Sequence, residues 1–177
     1  MKLGAKIFGF LSGLLILYLF VGFLLPGQWE ARTEAVLSQT PSQVFPFLNR
    51  VDAWAEWNAM PESGSHRVGP ESGPGAGLDW DDPQYGRGQF RILVAEPDSA
   101  VEYEVLIEGG SLRITGRLEL FPEAEGTKVR WVERGDFGRN PLMGYAARGM
   151  GASQSEAMNA NLDRLRWLLA EGSGEGR

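Results

Sequence analysis

The stretch "AVEYEVLIEGGSLRITGRLEL", Ala100–Leu120, decides the fold. Val101, Tyr103, Val105 and Ile107 alternate with Glu102, Glu104, Leu106 and Glu108. A period of two places the first set on one face of a strand and the second on the other. After "EGGS" the alternation resumes with Leu112, Ile114, Gly116, Leu118 and Leu120. Two alternating runs around Gly109-Gly110 predict a hairpin closed by a two-residue turn. One of its faces is apolar and the other carries charge, as in an antiparallel sheet wetted on one side.

The same pattern extends both ways. Upstream, "GLDWD" (Gly77–Asp81) offers Leu78 and Trp80, and "GQFRILVAE" (Gly88–Glu96) offers Phe90, Ile92 and Val94. Downstream, past the "PEAEG" turn, "TKVRWVERGDF" offers Val129 and Trp131. Short strands joined by tight turns predict a meander from His66 onward. Before it, Trp29–Leu37 reads as a further, imperfectly alternating strand. In "TPSQVFPFLN" Thr40 caps a helix, Pro41 takes its first position, Gln43 completes a capping box, and Pro46 kinks or shortens it. Asp52 is expected to cap a second short helix carrying Trp54 and Trp57. After the meander, Asn140 and Pro141 can open a helix that Gly149 and Gly151 loosen. From Ser153 to Glu171, Met158, Leu162, Leu165 and Leu169 recur at helical spacing, a stripe fit to cover the apolar face of the sheet. Residues 172–177 are polar and glycine-rich, and are expected to be disordered.

Residues 7–25, "IFGFLSGLLILYLFVGFLL", are uncharged, and Pro26 and Gly27 end them. Nineteen residues reach roughly 28 Å as a helix, close to the thickness of a hydrocarbon core. A cleaved signal peptide usually has an apolar region of about 7–15 residues and a small-x-small site. This run is longer, and "PGQWEART" has no such site, so residues 1–28 are expected to be an uncleaved anchor whose partner is the lipid bilayer. Lys2 and Lys6 precede the span, which predicts a cytoplasmic N-terminus and an extracytoplasmic domain in a single-pass protein of the cell membrane.

Composition narrows the chemistry. The chain of 177 residues has no cysteine and one histidine, His66. That leaves no thiol nucleophile, no disulfide and no His or Cys cluster for a metal, and no cofactor is expected. All 23 acidic residues follow Trp29; setting aside Lys2 and Lys6 leaves 15 of the 17 basic ones there, a net charge of −8. Such a domain repels nucleic acid and anionic headgroups, a local basic patch apart. "DWDDPQYG", with Asp79, Asp81 and Asp82, lacks calcium-loop spacing and reads as hairpin and turn. "GRG" at 86–88 precedes no helix and reads as a turn, not a phosphate loop.

A strand, two small helices, a six-stranded meander and a long last helix follow the order of the helix-grip fold. On "TPSQVFPFLNRVDAWAEWNAM", "GPESGPGAGLDWDD", "GRGQFRIL", "GTKVRWVERGD" and "ANLDRLRWLL", the chain resembles the START-like superfamily. Within it, the chain is similar to polyketide cyclase/dehydrase-type (SRPBCC) proteins with an N-terminal membrane anchor. The resemblance covers residues 29 to 170. It implies an α+β domain over 29–171, in which the sheet grips the last helix around an apolar cavity. It also implies binding of lipids, sterols, polyketides or hormones. No catalytic set holds across the superfamily, so none is carried over, and the cyclase name is a family label.

The expected ligand is a small hydrophobic molecule or lipid. The expected cavity lining is Trp57, Trp80, Phe90, Tyr103, Trp131, Glu133 and Met158, around a space of about 300–1,000 Å³. Gly116, inward and without a side chain, is expected to leave part of that space open. Trp54 and Trp57 are either core plugs or cavity wall. Glu133 shares inward parity with Val129 and Trp131, so it is either a buried acid facing a ligand or a residue turned outward by a bulge or strand end. Arg91 and Arg113 have outward parity and are expected to be solvated, and His66 is expected at the surface. Two other functions remain open: a cyclase, dehydratase or hydrolase using cavity polar groups such as Glu133, and a filled-core domain serving as a protein-interaction module.

Overall fold

The computed structural model describes residues 2–61 and 63–172. Helix α1 (Lys2–Leu24) leads into strand β1 (Gln28–Leu37), then α2 (Pro41–Asn49) and α3 (Val51–Trp57). Six strands follow: β2 (His66–Val68), β3 (Gly77–Asp82), β4 (Gly86–Glu96), β5 (Ala100–Ile107), β6 (Leu112–Glu123) and β7 (Gly126–Asp136). Helix α4 (Met143–Gly172) closes the chain. The strands form one antiparallel sheet in the order β1-β7-β6-β5-β4-β3-β2. The expected meander is present, and β1 pairs with the last strand, from Gln28↔Asp136 to Leu37↔Thr127.

Alternation set the two faces. Inward residues such as Tyr103, Leu118, Val129 and Trp131 are buried. The outer face carries cross-strand ion pairs: Arg134 with Glu30, Arg130 with Glu34, Arg113 with Glu104, and Arg117 with Glu102. These pairs let long side chains of both signs cover a wet sheet, and each adds little stability on its own.

Helix α4 runs alongside β1 in the same direction. The Arg32 N–H donates to Ser155 Oγ at 3.2 Å, Thr33 Oγ1 bonds Asn159 Oδ1, and Gln39 Nε2 donates to the Leu169 carbonyl at 3.1 Å. The expected stripe of Met158, Leu162, Leu165 and Leu169 is buried. The helix does not weaken at its glycines: it runs unbroken through Gly149 and Gly151. At Gly151 the missing side chain is useful, since a Cβ there would run into the Glu30 carbonyl oxygen.

Trp54 and Trp57 are fully buried and resolve the question the sequence left about them. Trp54 lies at the centre of an aromatic cluster, with ring centroids 4.7 Å from Trp57, 4.9 Å from Phe90 and 4.9 Å from Tyr103. Their indole N–H groups donate to the Leu48 carbonyl at 2.6 Å and the Phe47 carbonyl at 3.1 Å. Those carbonyls belong to the last turn of α2, where no helical donor remains, so the tryptophans fill the core and cap the neighbouring helix together.

Several local expectations need correction. Glu108–Gly110 form a 3-10 turn, and Ile107 pairs with Leu112, so the hairpin loop has four residues rather than two. Helix α3 is N-capped by Arg50; Asp52 sits in its first turn and pairs with Arg67 at 2.6 Å. "GRG" at 86–88 begins strand β4, and only Gly86 has the left-handed φ of a turn (68°). Arg91 is half-buried rather than solvated: its side chain is 28% exposed, and it holds Asp79 at 2.6 Å and donates to the Phe90 carbonyl at 2.7 Å. Asp82 does end a hairpin, accepting the N–H groups of Gln84 at 2.7 Å and Tyr85 at 3.0 Å. The expected disordered tail falls on 173–177, outside the described residues, and Gly172 is the last residue of α4.

Candidate functional site

Parity along β5 and β7 brings Tyr103, Trp131 and Glu133 onto the inner face at one end of the sheet. Glu133 stands in unbroken register between Ala31 on β1 and Gly116 on β6, so no bulge turns it outward. It is only 5% exposed. Both of its oxygens accept hydrogen bonds. Tyr103 Oη donates to Oε1, and Gln154 Nε2, one turn along α4 from Gly151, donates to Oε2 at 2.7 Å. Trp131 Nε1 in turn donates to Tyr103 Oη at 2.8 Å. A chain of donors therefore converges on one carboxyl group.

Burial pushes the Glu133 acid above the ordinary glutamate value, against the two hydrogen bonds that favour its charged form. Burial, followed by the charge of Glu133, also raises the Tyr103 phenol well above its usual range. No cation faces the pair in these contacts, so desolvation decides the sign.

The network forms one wall of a cleft of about 180 Å³ between the inner face of the sheet, the 58–61 segment and α4. Trp80, Phe90, Val105, Ile107, Ile114 and Trp131 supply its apolar surface, and Asn58, Met60, Tyr85 and Gln154 lie on its rim and walls. Asn161 Nδ2 donates to Asn58 Oδ1 at 2.6 Å and ties the 58–61 segment to α4. The indole Nε1 of Trp80 is buried without a hydrogen-bond partner among the described residues. Three larger hollows among the described residues, about 430, 490 and 740 Å³, are open and lined largely by charged and polar residues.

Five of the seven residues singled out from the sequence meet in this cleft: Trp80, Phe90, Tyr103, Trp131 and Glu133. Trp57 and Met158 are fully buried and lie outside its lining. The cleft is smaller than the expected 300–1,000 Å³ because aromatic rings fill the space between sheet and helices. Gly116 leaves no opening. It lies opposite Tyr103, and a Cβ there would overlap the Tyr103 ring. Gln154 was missed in the sequence, because a glutamine in "GASQSEAMN" reads as an exposed helix position. Its one available signal is its place one turn before Met158, the first residue of the apolar stripe.

The sequence matches the model of a family described as polyketide cyclase / dehydrase and lipid transport over residues 28–169. No curated protein matches the chain. Solved structures share the fold at low identity. A protein of unknown function from Staphylococcus aureus is 10% identical with a TM-score of 0.64, over 83% of this chain and 96% of that one. A protein from Rhodobacter sphaeroides is 21% identical with a TM-score of 0.58, over 81% of this chain and 93% of that one. The di-domain ARO/CYC StfQ from the steffimycin biosynthetic pathway is 15% identical with a TM-score of 0.61, over 83% of this chain and 52% of that one.

Proposed function

The chain belongs to the polyketide cyclase/dehydrase and lipid transport family, and from that premise we propose that it is a membrane-anchored binding domain for a small hydrophobic molecule or lipid. The cleft carries this reading: apolar walls converge on one buried, hydrogen-bonded acid, the usual makeup of a small-molecule site. Burial favours the protonated form of Glu133 more than in an ordinary glutamate, and its carboxyl gives a ligand one polar partner in the apolar cleft. The ligand is then an apolar molecule bearing a polar group. At about 180 Å³ the cleft holds one end of a lipid-sized molecule, and deeper entry requires the 58–61 segment to move.

The anchor is α1. Its segment Lys6–Leu24 is long and apolar enough to cross a membrane and is almost wholly unburied by the rest of the chain. We read it as an uncleaved single span with a cytoplasmic N-terminus, on Lys2 and Lys6, which precede its uncharged run from residue 7.

The test is uptake of a lipophilic fluorophore by the purified full-length protein, read as a blue shift that competing apolar compounds reverse. Ile114→Trp, which fills the cleft from a partly exposed wall, should abolish uptake and leave the circular dichroism unchanged. No uptake by the unmodified protein would overturn the binding reading. The buried acid favours a second reading, acid catalysis, since perturbed carboxyl groups in clefts often serve chemistry. Glu133→Gln with binding retained and turnover of a bound compound lost would establish it.

A further inference from the structure

Helix α1 does not stand clear of the domain. The rings of Tyr18 and Tyr145 stack at 4.4 Å with an interplanar angle of 1°, and Tyr145 Oη donates to the Tyr18 carbonyl at 2.7 Å. One turn on, Gly22 faces Pro141 and Gly144. A Cβ on Gly22 would overlap the Pro141 carbonyl oxygen, and a Cβ on Gly144 would lie 2.7 Å from the Gly22 carbonyl oxygen and 2.8 Å from Leu25 Cβ. Paired glycines that let two backbones touch are how helices pack within membranes. The link between α1 and β1 is also held, by the Phe137 N–H donating to the Gly27 carbonyl at 3.1 Å.

These contacts fix a depth. The 19 residues Lys6–Leu24 rise roughly 28 Å, which a hydrocarbon core of about 30 Å uses in full. Tyr18 precedes Leu24 by six residues, roughly 9 Å along the axis. Whatever packs on Tyr18 and Gly22 therefore sits at the level of the last two turns of the span.

The chemistry of the packed segment fits that level. Leu142 is 51% exposed and Met143 38% exposed, although both are large and apolar. Arg139 and Arg148 flank them and are exposed, and the Arg139 guanidinium lies 5.4 Å from the centroid of the Phe23 ring. From Phe137 to Ser155 there is no acidic residue, in a domain that otherwise carries excess negative charge. Apolar side chains between arginines that reach outward are the pattern of a helix start lying in the headgroup region.

We infer that residues 139–148, the link into α4 and its first turns, form a second membrane contact that seats the domain on the bilayer spanned by α1. Leu142 and Met143 enter the acyl boundary, and Arg139 and Arg148 meet the lipid phosphates. The inference rests on the reading of α1 as a membrane span. The cleft lies at the same end of the sheet, since the β5–β6 hairpin loop, the start of β1 and Gln154 all belong to that end.

Because the chain has no cysteine, single-cysteine labelling tests this directly. The full chain carrying Leu17→Cys, Leu142→Cys or Ser99→Cys is labelled with a polarity-sensitive fluorophore and reconstituted in phosphatidylcholine vesicles containing doxyl-labelled lipid. Position 17 reports the span, position 142 the proposed contact, and position 99 the opposite end of the sheet. The expected result is a blue shift and lipid quenching at 17 and 142, with quenching by aqueous iodide alone at 99. Quenching at 17 without quenching at 142 overturns the second contact and leaves the anchor standing. No lipid quenching at 17 overturns the anchor and the second contact with it. Shielding of 142 from iodide without lipid quenching assigns the patch to a second copy of the chain and also overturns the inference.

Discussion

Tyr103 stands directly across the sheet from Gly116, and its ring occupies the space that a side chain at 116 would need. The relationship recurs twice: Trp80 covers Gly88 between β3 and β4, and Trp29 covers Gly135 between β1 and β7. In each case an inward aromatic lies over a glycine that would otherwise expose bare backbone, a known device for stabilising strand glycines. For Tyr103 the arrangement also aims the phenol at Glu133. Gly116→Ala should therefore displace the ring and destabilise the domain by about 1–3 kcal/mol, as overpacking does. Denaturant unfolding checks this; an unchanged midpoint would mean the ring is free to move aside.

Trp131 joins three features: it packs edge-on against Trp54 and Trp57, walls the cleft, and donates to Tyr103. Trp131→Ala should cost about 3–5 kcal/mol, the usual loss for a buried large aromatic. A loss below about 1 kcal/mol in equilibrium unfolding would show that its surroundings collapse into the gap.

Parity made most of this fold legible. Tyr103, Trp131 and Glu133 were placed on one face because a strand has a period of two, and the structure keeps that register without a bulge between β6 and β7. The size of the cleft was not legible. Parity says which side chains face inward, but not whether the rings of Trp54, Trp57 and Phe90 close the space between them. Gly116 was misjudged for the same reason: a missing side chain reads as an opening, when the cross-strand ring had already filled it. Turn and cap details failed where several residues could do the same job, as with Arg50 and Asp52 at the start of α3. The contact of α1 with α4 left only a faint trace. Gly22 in an apolar run and Gly144 near the start of the expected last helix become partners once the fold places them together.

That contact gives a separate prediction. Gly22→Leu forces a side chain against the Pro141 carbonyl and the Tyr145 ring. It should separate α1 from the start of α4 without touching the sheet. Hydrogen exchange followed by mass spectrometry should show faster exchange across residues 137–146 and unchanged exchange in β5 and β6. Equal protection in the two proteins would mean that α1 and α4 are held together by contacts other than the glycine pair.

The buried acid predicts how stability depends on pH. Burial raises the Glu133 pKa in the folded protein above its unfolded value, so the folded state holds this proton more tightly. Between the two values the folded state binds more protons than the unfolded one, and the linkage relation then makes stability fall as pH rises. The contribution is fully present below the ordinary glutamate value and is lost as pH climbs through the raised one. Glu30, Glu34 and Asp82 have lowered values, and their contributions run the opposite way, lost as pH falls. The Glu133 effect is therefore isolated by comparing the protein with Glu133→Gln, which keeps the shape of the neutral acid and leaves those three groups in place. The variant should gain stability relative to the parent as pH rises across that window, and the two curves should run parallel below it. Urea unfolding at a series of pH values measures the difference. A constant gap between the curves would mean that Glu133 takes up its proton at the same pH in both states, with the Tyr103 and Gln154 hydrogen bonds offsetting desolvation.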